Sequence, residues 1–228
     1  MSKIQKETFA FLKKLASNNN RDWFAENKKE YETQHAHMIK FADAFLQKMN
    51  EHDQIETVSG KKSLMRIYRD VRFSKNKDPY KIHWGGGFKR ATKQLRGGYY
   101  YHIQPGGKSF VGGGFWDPNK DDLLRVRGDI ATDASEMREI ITSPEFVDTF
   151  GQLGGEQLKT APKGFDKEHP DVDLLRYKQY LISRNFTDKE VLSPDFLDQA
   201  NDTFRKMRSF FDYMSEVLTT DANGNPLF

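Results

Sequence analysis

The sequence predicts an α+β fold, a central mostly antiparallel or mixed sheet packed with N- and C-terminal helices. Three observations lead there. Apolar residues recur at helical spacing near both ends, at Phe9, Phe11, Leu12 and Leu15 and again at Phe196, Leu197, Ala200, Phe204, Met207, Phe211, Met214 and Leu218. Between these ends, residues 55–116 change to a two-residue period. The intervals separating the extended segments leave no room for helical crossovers, which makes neighbouring strands antiparallel. A length of 228 residues suits one domain, residues 1–228.

In chain order, Thr8 is a candidate cap for the first helix, and Asn18-Asn19-Asn20 interrupts it as a polar turn. Asp22 is placed to cap a second, longer helix with apolar positions from Trp23 through Met49, and His52 and Asp53 fall just beyond its end. Met65, Ile67, Val71 and Phe73 alternate with polar residues as a strand would, except that Arg69 occupies an apolar position. Lys81 to Phe88 reads as another strand. Gly98–Gln104 and Ser109–Trp116 read as a hairpin around Pro105-Gly106-Gly107-Lys108, with Tyr99 and Tyr101 facing away from Tyr100.

The second half returns to helix. Asp121–Ile130 and Ser135–Ile141 are helical pieces, and Ser143 caps another that opens with Pro144. Gly151–Gly164 is loop or short strand, and Asp173–Ile182 is ambiguous between helix and strand. Ser193-Pro194 opens the last long helix, and Asn223-Gly224-Asn225-Pro226 is a frayed tail.

Composition removes several function classes. No apolar run approaches the roughly 20 residues that span a bilayer, and the opening residues lack an apolar export segment, so a cytoplasmic protein without a membrane partner is expected. With Cys 0 there are no disulfides, thiolate nucleophiles or cysteine-ligated metals. Phe 18, Tyr 9 and Trp 3 still supply a core although only 36% of residues are apolar.

Net charge is only +3, but its distribution is uneven. Between Lys61 and Phe110 there are 13 Lys/Arg and 2 acids, Asp70 and Asp78, against 23 Lys/Arg and 31 Asp/Glu elsewhere. Guanidinium forks and mobile ammonium groups in such a cluster suit a phosphate or carboxylate. Arg69, Arg72, Lys75 and Lys81 are therefore candidate anion ligands, with Tyr101 and His102 beside them. Asp70 orients an arginine or accepts a proton, and His83 donates or accepts one, which makes these two the candidate catalytic residues.

The same residues admit a surface ion-pair network, or contact with single-stranded nucleic acid through Tyr99-Tyr100-Tyr101, Phe110 and Trp116. Ten of the 17 glycines fall between Gly85 and Gly114, which reads as a bare sheet face under a closely packed partner or as backbone exposed to a ligand. Gly106-Gly107-Lys108-Ser109 lacks the earlier glycine of a phosphate-binding loop, and Gly112-Gly113-Gly114 lacks dinucleotide spacing. His83 and His102 are the histidines best placed to join Asp70, but their spacing signals a metal site only weakly, and the cofactor and the oligomeric state are open.

Leu12 with Asn18-Asn19-Asn20-Arg21-Asp22-Trp23-Phe24, the run Arg69-Asp70-Val71-Arg72-Phe73-Ser74-Lys75 through Pro79-Tyr80-Lys81, Tyr100-Tyr101, Gly112-Gly113-Gly114, and Pro162-Lys163-Gly164-Phe165 with His169-Pro170 together resemble the conserved hypothetical family catalogued as domain of unknown function 2461. The resemblance runs from about Phe9 to Leu218. It implies one globular α+β unit without an assigned reaction. Within the basic run this chain has Asn76 and Ile82 where members often have Asp and Thr, and it keeps His83. The best-supported expectation is a small-anion-binding protein, with an enzyme of undefined reaction left open. A structural or interaction protein without catalysis and a single-stranded nucleic-acid binder are the alternatives.

Overall fold

Four strands form one antiparallel sheet in the order β1-β2-β3-β4: β1 (Trp84–Lys89), β2 (Gly98–Ile103), β3 (Ser109–Phe115) and β4 (Tyr180–Phe186). The fold is α+β, as the change of period implies. The structure is a computed structural model and describes residues 3–221 and 224–227. Its contacts cluster into two compact units. One joins the chain up to Phe88 with Tyr100–Val111 and Asn185–Asp202, and the other joins Lys89–Tyr99, Gly112–Arg184 and the chain from Thr203 onward.

The first unit begins with α1 (Lys6–Ser17), whose Phe9, Phe11, Leu12 and Leu15 are buried. Thr8 does not cap it. Thr8 lies inside the first turn and donates its hydroxyl to Gln34 Oε1 at 2.9 Å, a better use of a buried polar group than capping a solvated end. Asn20, not Asp22, caps α2 (Arg21–Glu26), accepting from Trp23 N–H at 2.9 Å. The long helix expected from Asp22 is thus broken at Asn27, after which α3 (Lys28–Met49) buries Met38, Phe41, Phe45 and Met49 along one face. A single turn, α4 (Gly60–Ser63), follows. Around Phe45 the rings of Phe41, Phe88 and Tyr101 lie within 5.8 Å, and Phe196 stacks on Phe41 at 5.9 Å.

Residues 65–73 are not a strand. Ile67 is buried, but Met65 is 47% and Phe73 97% exposed, so the alternating residues share no buried face that would hold a ladder in register. Isolated bridges Leu64↔Gly86 and Tyr68↔Tyr80 are what remains of the pairing. The next strand starts at Trp84 instead of Lys81.

The hairpin is where the turn residues place it. Gly106 and Gly107 take φ of +89° and +68°, values that a side chain disfavours, and Tyr99 and Tyr101 are buried while Tyr100 is half-buried. The glycine-rich face is packed against neighbours. A Cβ on Gly86 would lie 2.2 Å from the Tyr101 hydroxyl oxygen, so the ring occupies the space a side chain would need.

In the second unit α5 (Lys120–Thr132), α6 (Ser135–Thr142) and α7 (Pro144–Phe150) follow the expected helices, with Ser143 accepting from Phe146 N–H at 3.2 Å. The ambiguous stretch divides into α8 (Val172–Leu175) and β4. A capped turn, α9 (Asp188–Val191), precedes the last helical pattern, which is split at Met207 into α10 (Phe196–Lys206) and α11 (Arg208–Thr219). Tyr99 packs on Phe204 and Phe211 at 4.9 and 5.0 Å. Of the tail, Asn223 lies outside the described residues. The rest turns back, with Leu227 N–H donating to Thr219 O at 2.9 Å, so it is not frayed there.

Candidate functional site

The charged run owes its position to an irregular pairing of residues 65–69 with 79–85. Met65 N–H donates to Gly85 O at 2.9 Å, Lys81 N–H to Ile67 O at 2.8 Å, and Arg69 N–H to Pro79 O at 2.9 Å. The intervening loop closes on itself through side chains. Asn76 Oδ1 accepts from Asp78 N–H at 2.7 Å, and Lys77 Nζ donates to Val71 O at 2.9 Å. Asn19 fixes the loop from outside: its amide donates to Tyr80 O at 3.0 Å and accepts from Tyr80 N–H at 3.1 Å, while Phe24 stacks on the Tyr80 ring at 4.0 Å.

These contacts leave a cavity of about 410 Å³. Arg69, Asp70, Lys81 and His83 line it, and so do Asn19, Asn76, Asp78, Tyr80 and Ile82. Four of the sequence-derived candidates therefore share one concavity. The others do not line it. Arg72 is exposed and clamps Asp70, its Nε and Nη2 donating to the carboxylate at 3.0 and 2.7 Å, which holds that carboxyl below the usual range and the guanidinium above its own. Lys75 is exposed on the loop. Tyr101 is wholly buried, bonded to Ser63 Oγ at 2.9 Å, and burial raises its phenol far above the ordinary value.

The cations on the cavity wall have an unusual state. Arg69 donates to Asp78 O at 2.9 Å and toward Ser74 Oγ at 3.4 Å, and Lys81 donates to Arg66 O at 2.7 Å. All three acceptors are neutral oxygens. Among the described residues neither Arg69 nor Lys81 has a carboxylate within ion-pair distance. Partial burial, with Arg66 nearby, lowers the Lys81 ammonium from its ordinary value.

His83 lies against His102, ring centroids 4.0 Å apart, and makes no hydrogen bond among the described residues. Burial, then the neighbouring His102, Lys81 and Arg69, push its pKa down to about 4. It is a neutral imidazole at pH 7, keeping one donor and one acceptor nitrogen. His102 does not line the cavity but fixes what does. Its Nε2 pairs with Gln104 Oε1 at 2.8 Å, which leaves Nδ1 to accept the Tyr100 hydroxyl at 3.1 Å. Phe110 stacks on the His102 ring at 4.9 Å. The sequence reading missed Asn19, Asn76, Asp78, Tyr80 and Ile82 as wall residues; the Asn18-Asn19-Asn20 run is the available signal for Asn19, legible in sequence only as a turn. Among the described residues no three His, Asp or Glu side chains gather as a metal-ligand group.

The family model for conserved hypothetical protein DUF2461 matches residues 7–213, which take in the cavity and most of each unit. The chain belongs to this family. The DUF2461 assignment agrees with the resemblance carried by the Arg69–Lys81 run and brings no reaction with it. No curated protein and no solved structure matches the chain. Among the described residues no helix is long and apolar enough to cross a membrane.

Proposed function

We propose that this DUF2461 protein is a cytoplasmic binder of a small anion, a phosphate or a carboxylate, held in the cavity of about 410 Å³. The observation that carries this reading is the pair Arg69 and Lys81, both on the cavity wall and both bonded only to neutral oxygens. A bound oxyanion supplies the counter-charge that the chain does not. Arg69 gives planar donors, Lys81 a point charge, and His83 is the group placed to exchange a proton with the ligand. Asp70, neutralised by Arg72, anchors the loop instead of serving as a base. Thermal unfolding in inorganic phosphate, in citrate and in malate at constant ionic strength tests this. Stabilisation of about 2.7 kcal/mol is expected at a hundredfold excess over Kd, falling sharply in Lys81→Ala. No shift with any of the three anions, or a shift indifferent to both Lys81→Ala and Arg69→Ala, overturns it.

One observation favours a second reading, single-stranded nucleic acid. Phe73 is 97% exposed, has the Arg72 guanidinium 5.9 Å from its ring, and shares its loop with Lys75 and Lys77. A base stacked on Phe73 with phosphates along the lysines is the arrangement this suits. Titrating labelled single-stranded RNA and DNA at several salt concentrations decides it: binding that weakens with salt and in Phe73→Ser is expected, and none at low salt removes it.

A further inference from the structure

The cavity is cationic on one part of its wall and accepting on another. Asp78 lines it together with Arg69, Lys81 and His83. Arg69 engages the backbone oxygen of Asp78, and among the described residues no cation comes within ion-pair distance of the Asp78 carboxylate. A bare oxyanion filling this space would gain from Arg69 and Lys81 and be repelled by that carboxylate. The repulsion becomes attraction only if the ligand presents hydrogen-bond donors there.

His83 adds to the same side of the balance. Its ring is held against His102, which is itself fixed between Tyr100 and Gln104, and none of its nitrogens is used within the described chain. The low pKa of His83 keeps an acceptor nitrogen available at pH 7. A carboxylate and a neutral imidazole suit hydroxyl groups, as two cations suit a phosphate or carboxylate.

Resting on the anion reading above, we infer that the ligand class is a hydroxylated anion, a polyol or sugar phosphate or a hydroxy acid, with its charge at Arg69 and Lys81 and its hydroxyls at Asp78 and His83. The volume of about 410 Å³ is large for inorganic phosphate and suits a molecule of this kind. Selectivity then arises because a ligand without hydroxyls gains only the Arg69 and Lys81 contacts and meets the Asp78 carboxylate as a like charge.

Calorimetric titration with glycerol 3-phosphate and with propyl phosphate tests this, since the two carry the same charge and differ in their hydroxyls. It is run well above their second ionisation, with inorganic phosphate as a third probe. Glycerol 3-phosphate is expected to bind on the order of tenfold more tightly than propyl phosphate. Asp78→Ala should erase most of that preference while leaving propyl phosphate bound as well as before or better. Asp78→Asn, which preserves the loop's shape, should shift the ratio the same way if the alanine variant folds poorly. Equal affinities, or a preference untouched by both Asp78 variants, overturn the hydroxylated class while the anion reading stands. Failure of all three phosphates, together with no stabilisation by citrate or malate, removes the anion reading, and this inference with it.

Discussion

His83 and His102 lie ring against ring, 4.0 Å between centroids and 30° apart in plane, with Lys81 and Arg69 adding positive charge on the His83 side. Such a pair resists protonation. Because the folded-state pKa of His83 lies near 4, below the ordinary value of 6.5, the unfolded chain takes up its proton first as pH falls. The associated stability is present above pH 6.5 and lost on the way down to about 4. Burial depresses His102 in the same direction. The urea midpoint should therefore fall between pH 7 and pH 5, and less so in His83→Gln; a midpoint that rises with acid contradicts the arrangement. Sulfate affinity should move oppositely, strengthening as pH falls, because a bound anion favours the imidazolium.

Arg69 holds the loop from within, donating to the backbone oxygen of Asp78 and toward Ser74, but it is only half-buried and leaves no buried carboxylate behind when removed. Arg69→Ala is expected to cost about 1 kcal/mol in urea unfolding while abolishing most phosphate-induced stabilisation. A loss of 3 kcal/mol or more, on the scale of about 3–5 for a broken buried ion pair, would make Arg69 a structural residue first.

The hairpin turn already holds an anion of the chain's own. Asp188 accepts from Gly106 N–H at 2.9 Å and from Gly107 N–H at 2.8 Å, the two residues with left-handed φ. Backbone donors that a phosphate-binding loop would turn to its ligand are thus occupied by a carboxylate. Asp188→Ala should lower stability by about 1–2 kcal/mol and leave phosphate and citrate binding unchanged; altered anion affinity would place a ligand at this turn.

Arg90 is a buried cation with a half-exposed partner. Its side chain is 0% exposed, that of Asp212 is 48% exposed, and the two pair at 2.6 Å, with Arg90 also donating to Arg96 O. The costs of breaking the pair are accordingly unequal. Asp212→Asn removes the carboxylate from a guanidinium that has no access to water, at about 3 kcal/mol, whereas Arg90→Met leaves Asp212 in solvent and beside Arg208, at about 1–2 kcal/mol. Denaturant unfolding of both variants checks the order, and the reverse order would show that the burial of Arg90 does not set the cost of breaking the pair.

The sequence by itself determined the fold class, the hairpin and the helix pieces of the second half. The physical reason is that these are local: Gly106-Gly107 dictate the turn, Ser143-Pro144 the helix start, and Phe9 to Leu15 the buried face, each within a few residues of what it controls. It also marked the Arg69–His83 run as the place where charge concentrates. Tertiary structure decided the rest. Whether Met65 to Phe73 forms a strand depends on a face to bury, and none covers Phe73. Whether Thr8 caps depends on Gln34, 26 residues away. Arg69, Lys81 and His83 reach one cavity because Asn19, remote in sequence, pins Tyr80, while Arg72 is committed to Asp70 and Lys75 is exposed on the loop. Spacing along the chain records which side chains are near each other locally, but burial and counter-charge are supplied by partners that only folding brings within reach.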